Sequence, residues 1–265
     1  MAFLPFFISK QKRLKVVIIG GGYAGIAALT TLLRYAPDSC ITLIDPKTHH
    51  IKITHLHETF RHPLVDLLVP FTDIEKRYGC RHIPASVHFD AEELQRCQQT
   101  KHIVVNDESL HFDYLLVASG CENRISDRAE NVLNLQDFAA SAGSELLMPL
   151  LESNHQSEQS ISVVGGGATG IQFLFEIKQF LSRKKSKATL RLIHSGEQVL
   201  EQFPRGFDTY VQSRMQELNI AFYPNTYYRG QQSNTILLAE KHTQKHIELS
   251  SGLTILFLGK SQGPS

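Results

Sequence analysis

At 265 residues the chain has room for one large domain or two ordinary ones. Its residues are 42% hydrophobic and 20% charged, a globular balance that excludes a disordered chain. A formal charge of +1 supplies no overall field for nucleic acid, and no apolar run approaches the roughly 20 residues a bilayer-crossing helix needs.

At the N-terminus, Phe3, Leu4, Phe6, Phe7 and Ile8 precede Lys10, Lys12 and Arg13, the reverse of a signal peptide. We read an extension packed on the protein, with a weak interfacial membrane anchor as the alternative. Next comes KVVIIGGGYAGIAALTTLLR, residues 15–34. A β-branched apolar run ends in Gly20, Gly22 and Gly25, spaced G-x-G-x-x-G, and a helical pattern rich in alanine and leucine follows directly. In this strand–turn–helix context Gly20 permits the tight turn, Gly22 lets a diphosphate approach the backbone, and Gly25 lets the helix lie close to the strand. Tyr23 and Ala24 belong to the same cradle, where first-turn N–H groups and the helix dipole favour two negative phosphates. Residues 40–44 form a second strand ending in Asp45. It lies 25 positions after Gly20, close to the roughly 20 expected of the acid that holds a ribose hydroxyl. A turn aspartate before Pro46 is the competing reading.

Residues 48–62 carry His49, His50, His55, His57 and His62. On a strand His55 and His57 would share a face, a spacing open to metal, but no cysteine or carboxylate set completes a site and none is predicted. The segment is expected to line the cleft beside the nucleotide. Residues 70–78 read as a loop and short helix, and 82–117 as a meander with strands at 85–89 and 102–106 and a turn at 107–110. The run FDYLLVASG, 112–120, reads as a strand buried in the sheet that turns sharply at Ser119 and Gly120. Cysteines 40, 80, 97 and 121 make neither a C-x-x-C pair nor a zinc spacing and read as reduced structural thiols of a cytoplasmic protein.

After a short strand and an amphipathic helix across 131–154, and a polar connector to 160, the opening pattern returns. ISVVGGGATGIQFLFEI, 161–177, repeats Gly165, Gly167 and Gly170 in the same spacing, 145 positions after the first set, with Ala168 and Thr169 inside the loop. Two fingerprints point to two Rossmann-like units, each for an adenine dinucleotide. The following strand, 187–194, lacks the acid: His194 stands at its end, followed by Ser195, Gly196 and Glu197. NADH and NADPH both stay open, with Glu197 either replacing the acid or only beginning the next helix. A helix at 207–218, a strand at 220–223, a hairpin of 235–239 with 246–249, and a strand at 252–259 complete the pattern.

The paired loops, Asp45, FDYLLVASG and GLTILFLG together resemble the pyridine nucleotide–disulphide oxidoreductases over nearly the whole chain. The resemblance implies an α/β fold of two Rossmann-like, three-layer ββα dinucleotide-binding domains, the second inserted in the first. An FAD-binding domain would span 1–125 and an NAD(P)H-binding domain 126–258. Hydride would pass from NADH or NADPH to FAD, and electrons onward to a quinone-like acceptor. Without C-x-x-C or C-x-x-x-x-C, the similarity falls to the type II NADH:quinone oxidoreductase branch, bound peripherally to the inner face of a membrane. A sulphide:quinone oxidoreductase-like flavoprotein using Cys121, and a catalytically inactive nucleotide-binding remnant, are the alternatives. Gln172 stands where that branch carries a glutamate, and Glu176 follows one turn on; these are the catalytic candidates. Ser119 replaces a threonine. The family continues past the point where this chain stops, with a Gly-Asp segment against the flavin and a membrane-docking region, so truncation and weakened flavin retention are expected. Expected partners are NAD(P)H, the quinone-like acceptor, a membrane surface and a second copy as a homodimer, with no nucleic acid.

Overall fold

A computed structural model describes residues 13–120, 129, 131–152 and 159–258. The N-terminal aromatics, Cys121 and most of the polar connector lie outside them. The described residues form two compact units, 13–51 with 68–120 and 52–67 with 129–258.

The first unit runs β1 (Lys15–Ile19), α1 (Tyr23–Tyr35), β2 (Cys40–Ile44), β3 (His49–Ile51), β4 (Leu68–Pro70), α2 (Phe71–Tyr78), β5 (Arg81–Ile83), α3 (Ala91–Thr100), β6 (His102–Val105), β7 (Glu108–His111) and β8 (Tyr114–Val117). A parallel four-stranded sheet has the order β5-β2-β1-β8. Because side chains alternate across a strand, β1 serves two cores. Val16 and Ile18 pack with Leu29 of α1 and Phe71 and Ile74 of α2, whereas Val17 and Ile19 pack with Cys97, Ile103, Val105 and Phe112 from α3 and the β6–β7 hairpin. Helices, parallel sheet and hairpin make three layers.

The second unit continues with β9 (Val132–Asn134), α4 (Leu135–Ala140), α5 (Gly143–Glu152), β10 (Ser160–Val164), α6 (Ala168–Arg183), β11 (Thr189–Ile193), α7 (Gly206–Glu217), β12 (Ala221–Tyr223), β13 (Thr226–Gln232), β14 (Thr235–Glu240), β15 (His246–Ser250) and β16 (Leu253–Leu256). Its parallel sheet has the order β12-β11-β10-β16-β9, and β13, β14 and β15 form an antiparallel layer. Val164, Ile193 and Leu256 of the parallel sheet pack against Ile236 and Leu238 of that layer. Ile171, Phe173, Leu174, Ile177, Phe180 and Leu181 bury the inner face of α6.

Five local readings change. Residues 85–89 form no strand, and 91–100 form α3, which Asp90 caps by accepting the Glu93 N–H at 2.7 Å. The expected turn at 107–110 is mostly β7, because Asn106 and Asp107 alone make the reversal at positive φ (50° and 63°). Residues 226–232 add β13 to the hairpin. His55 and His57 lie in a 3-10 segment, Ile53–Phe60, that belongs to the second unit, and not on a strand. Finally β8 is not buried: Tyr114 is 61% exposed and Val117 54%. It pairs with β1 alone among the described residues, whereas its counterpart β16 lies between β10 and β9 and is buried throughout.

Candidate functional site

Each unit carries the same cradle. Gly20 follows β1 at φ 101° and Gly165 follows β10 at φ 116°, a backbone region that glycine enters without penalty. Their N–H groups donate to the last carbonyl of the next strand, Gly20 to Ile44 at 2.8 Å and Gly165 to Ile193 at 2.9 Å. A Cβ on Gly20 would overlap the Ala118 carbonyl, and one on Gly165 the Phe257 carbonyl. A Cβ on Gly25 or Gly170 would overlap the carbonyl oxygen of Gly20 or Gly165. These four positions therefore close the turn and seat the helix.

Gly22 and Gly167 differ. Each is the N-cap of its helix in extended conformation, and a Cβ on either would meet nothing within 4 Å. Neither helix has a side-chain cap or an acidic residue in its first turn. Helix starts ordinarily satisfy their orphan N–H groups with a Ser, Thr, Asp or Asn side chain. Here the positive end of each helix, with Tyr23 and Ala24 in α1 and Ala168 and Thr169 in α6, opens on free space at the middle glycine. That arrangement fits a diphosphate.

The residue after the strand that follows each cradle helix, β2 or β11, binds the middle of its loop. Asp45 Oδ2 accepts the Gly21 N–H at 2.7 Å and Oδ1 the Lys47 N–H at 2.9 Å. Two carboxylate oxygens offer about four lone-pair sites, so acceptor capacity for a ribose hydroxyl remains. His194 takes the equivalent place: its Nδ1 accepts the Gly166 N–H at 3.1 Å. Burial, the largest cause, lowers its pKa, with Glu201 and a hydrogen bond to the Gln198 backbone acting against and Lys241 acting with it. The neutral ring is thus spent on its own loop. Glu197 is exposed on the turn beyond. Ser119 and Gly120 follow β8 beside Gly20, Gly120 at φ 78°.

The two catalytic candidates part ways on α6. Gln172 is exposed. Glu176 gives both oxygens to Arg61, at 3.0 Å to Nε and 2.9 Å to Nη2. This pair helps fasten residues 52–67 to the second unit. Beside it His57 Nδ1 is buried without a hydrogen-bond partner among the described residues, and burial foremost lowers its pKa.

Of the other participants, only His50 lies in a segment that the sequence marked for the cleft. The His50 ring bonds the Gly21 carbonyl at 2.9 Å and meets Tyr23 edge-on at 4.9 Å. Phe71 fills the space a Gly21 side chain would need, and it stacks on His82, whose Nε2 lies 3.1 Å from the Asp45 carbonyl oxygen. Glu201 lies over Gly196, so that a Cβ there would collide with its Oε1.

Residues 14–262 match the family described as pyridine nucleotide-disulphide oxidoreductase. The chain belongs to that family. Within it, a type II NADH:quinone oxidoreductase of Staphylococcus haemolyticus is 24% identical over 233 residues, covering 80% of this chain and 56% of the relative. One from Staphylococcus aureus is 28% identical over 192 residues, covering 67% and 46%. Among solved structures, NDH2 of Plasmodium falciparum superposes with a TM-score of 0.77 at 19% identity, covering 92% of this chain and 54% of that one. The sulfide:quinone oxidoreductase of Aquifex aeolicus gives 0.77 at 18%, covering 95% and 59%. These structures share the Rossmann-type architecture of the family. The chain spans about half the length of the curated relatives it matches.

Proposed function

We propose that this chain is an FAD-dependent NAD(P)H oxidoreductase in which the first unit holds FAD and the second NADH or NADPH. The observation that carries the reading is the doubled cradle: two open middle glycines, each at an uncapped helix start free of acid. FAD would be held by Gly20, Gly22, Tyr23, Ala24 and Gly25 around its diphosphate, by Asp45 at the ribose, and by Ser119 and Gly120 alongside. Gly165, Gly167, Ala168, Thr169 and Gly170 would hold the second dinucleotide, with His194 and Glu197 at its adenosine end. The functional division follows 1–125 and 126–258, the second domain inserted in the first, except that 52–67 packs with the second unit. When bound, this cofactor pair supplies hydride transfer from nicotinamide to flavin, while the protein binds and orients.

The relatives named type II NADH:quinone oxidoreductase support a quinone-like electron acceptor. Peripheral contact with a membrane would bring the chain to a lipid-soluble acceptor of that kind. Cys80 and Cys97 are buried, and burial raises both thiols, whereas Cys40 is exposed at the start of β2. Protonated thiols are poor nucleophiles, which supports direct delivery from the flavin without a redox disulfide. Glu176 is committed to Arg61, so of the two candidates on α6 Gln172 is the one left for the nicotinamide.

The test is steady-state oxidation of NADH by a soluble quinone after FAD loading, compared with Asp45→Asn and Gly22→Ala. Quinone-dependent turnover that falls in both variants with flavin content supports the proposal. A flavin-loaded protein that oxidises neither NADH nor NADPH is a nucleotide-binding remnant. Sulphide-dependent bleaching of the flavin that disappears in Cys121→Ser would replace nicotinamide as the donor.

A further inference from the structure

The second cradle lacks the carboxylate that the first has at its strand end, and His194 is occupied by Gly166. A carboxylate nonetheless reaches the same turn from further along the chain. Residues 195–200 fold back so that the Leu200 N–H donates to the Gly166 carbonyl at 2.8 Å, which brings Glu201 round to the loop. A Cβ placed on Gly196 would collide with its Oε1 and would lie 2.9 Å from His194 Nε2, so both side chains border Gly196. Gly196 is held from the other side, its carbonyl accepting the Asn225 N–H at 2.9 Å. The ordering is physical: a side chain at 196 would fill the space that this carboxylate uses.

We infer that Glu201 supplies the missing acid of the second site and makes it selective for NADH over NADPH. The inference rests on the reading of the second unit as the nicotinamide dinucleotide site. A carboxylate at that strand end accepts from the adenosine ribose diol, and it repels a 2′-phosphate. The other charged groups facing His194 and Gly196 are few. Lys241 is the opposing cation, and it acts on His194 less strongly than Glu201 does. Glu197, exposed like Glu201, is a further carboxylate on the turn.

The experiment is a binding titration of NADH and of NADPH to the purified full chain, read by the change in nicotinamide fluorescence, with thermal melting as the check on folding. A charge-assisted hydrogen bond gained and a phosphate repelled correspond to NADH tighter by about tenfold or more. Glu201→Gln is expected to bring the affinity ratio close to unity, and Glu201→Arg to reverse it. Gly196→Ala, which displaces the flexible end of Glu201 and presses on the His194 ring, is expected to lower the ratio in the same direction. Equal ratios in wild type and Glu201→Gln, or tighter NADPH in wild type, overturn the inference and leave the dinucleotide site standing. Collapse of the ratio in Glu197→Gln in place of Glu201→Gln assigns the role to Glu197 and also overturns it. If wild type binds neither nucleotide, the reading of the second unit itself fails, and this inference with it.

Discussion

The six cradle glycines divide into two kinds by what a methyl group would meet. At Gly25 and Gly170 it would overlap a backbone carbonyl that cannot step aside, so alanine there should destabilise by about 1–3 kcal/mol, the range of overpacked sites. At Gly22 and Gly167 it would meet open space, so alanine should change stability by no more than about 0.5 kcal/mol while weakening dinucleotide binding. Chemical denaturation of the four variants checks this, and equal losses at all four would remove the distinction. His194 gives a pH prediction. Its Nδ1 must be unprotonated to accept from Gly166, and burial lowers its pKa from the ordinary 6.5. A histidine depressed on folding stabilises fully above the unfolded value and loses that contribution as pH falls through the folded one. His57, also lowered chiefly by burial, has the same sign. The melting temperature should fall as pH drops below 6.5. The fall should be shallower in His194→Asn, whose amide oxygen keeps an acceptor for Gly166. Sequence placed His194 at the strand end, but which atom it bonds depends on a loop whose path is set by long-range contacts.

Among elements, Ile53–Phe60 shows how packing overrides local pattern. Its histidines read as lining the cleft beside the first nucleotide, yet the segment is a 3-10 turn that packs in the second unit through Phe60. That ring packs with Phe180 at 5.6 Å, and with Phe138 and Phe173 at 6.1 Å. The Thr59 hydroxyl accepts the Gly143 N–H at 2.8 Å, and Arg183 donates to the Phe60 carbonyl at 3.3 Å. Phe60 is 4% exposed, so Phe60→Ala should cost about 3–5 kcal/mol in equilibrium unfolding. Arg61→Ala should cost less, because that guanidinium is 40% exposed and solvent screens the pair. If Arg61→Ala proves the more damaging, the ion pair and not the aromatic cluster holds the segment. Helix α3 has a local signal: Asp90 followed three residues later by Glu93 is a helix-start signature, and Asp90→Ala should cost about 1 kcal/mol.

For the molecule as a whole, each unit has its own core and its own cradle, so the two ligands should act separately. A ligand that binds only the folded state at a hundred times its Kd stabilises by about 2.7 kcal/mol. FAD should raise the melting temperature of wild type and of Gly167→Ala but not of Gly22→Ala, and NADH should show the reverse pattern. Loss of both shifts in either single variant would mean one shared site. The sequence by itself determined the two cradles, the strands and helices that flank them, and Asp45, because a glycine spacing between an apolar strand and a helix is dictated by local backbone geometry. Only the tertiary structure decided that β8 is an exposed edge, that 52–67 belongs to the second unit, and that Glu201 returns to Gly196. Each of these depends on which distant surface a segment buries or which distant backbone group it bonds, and no short-range pattern of residue types carries that information.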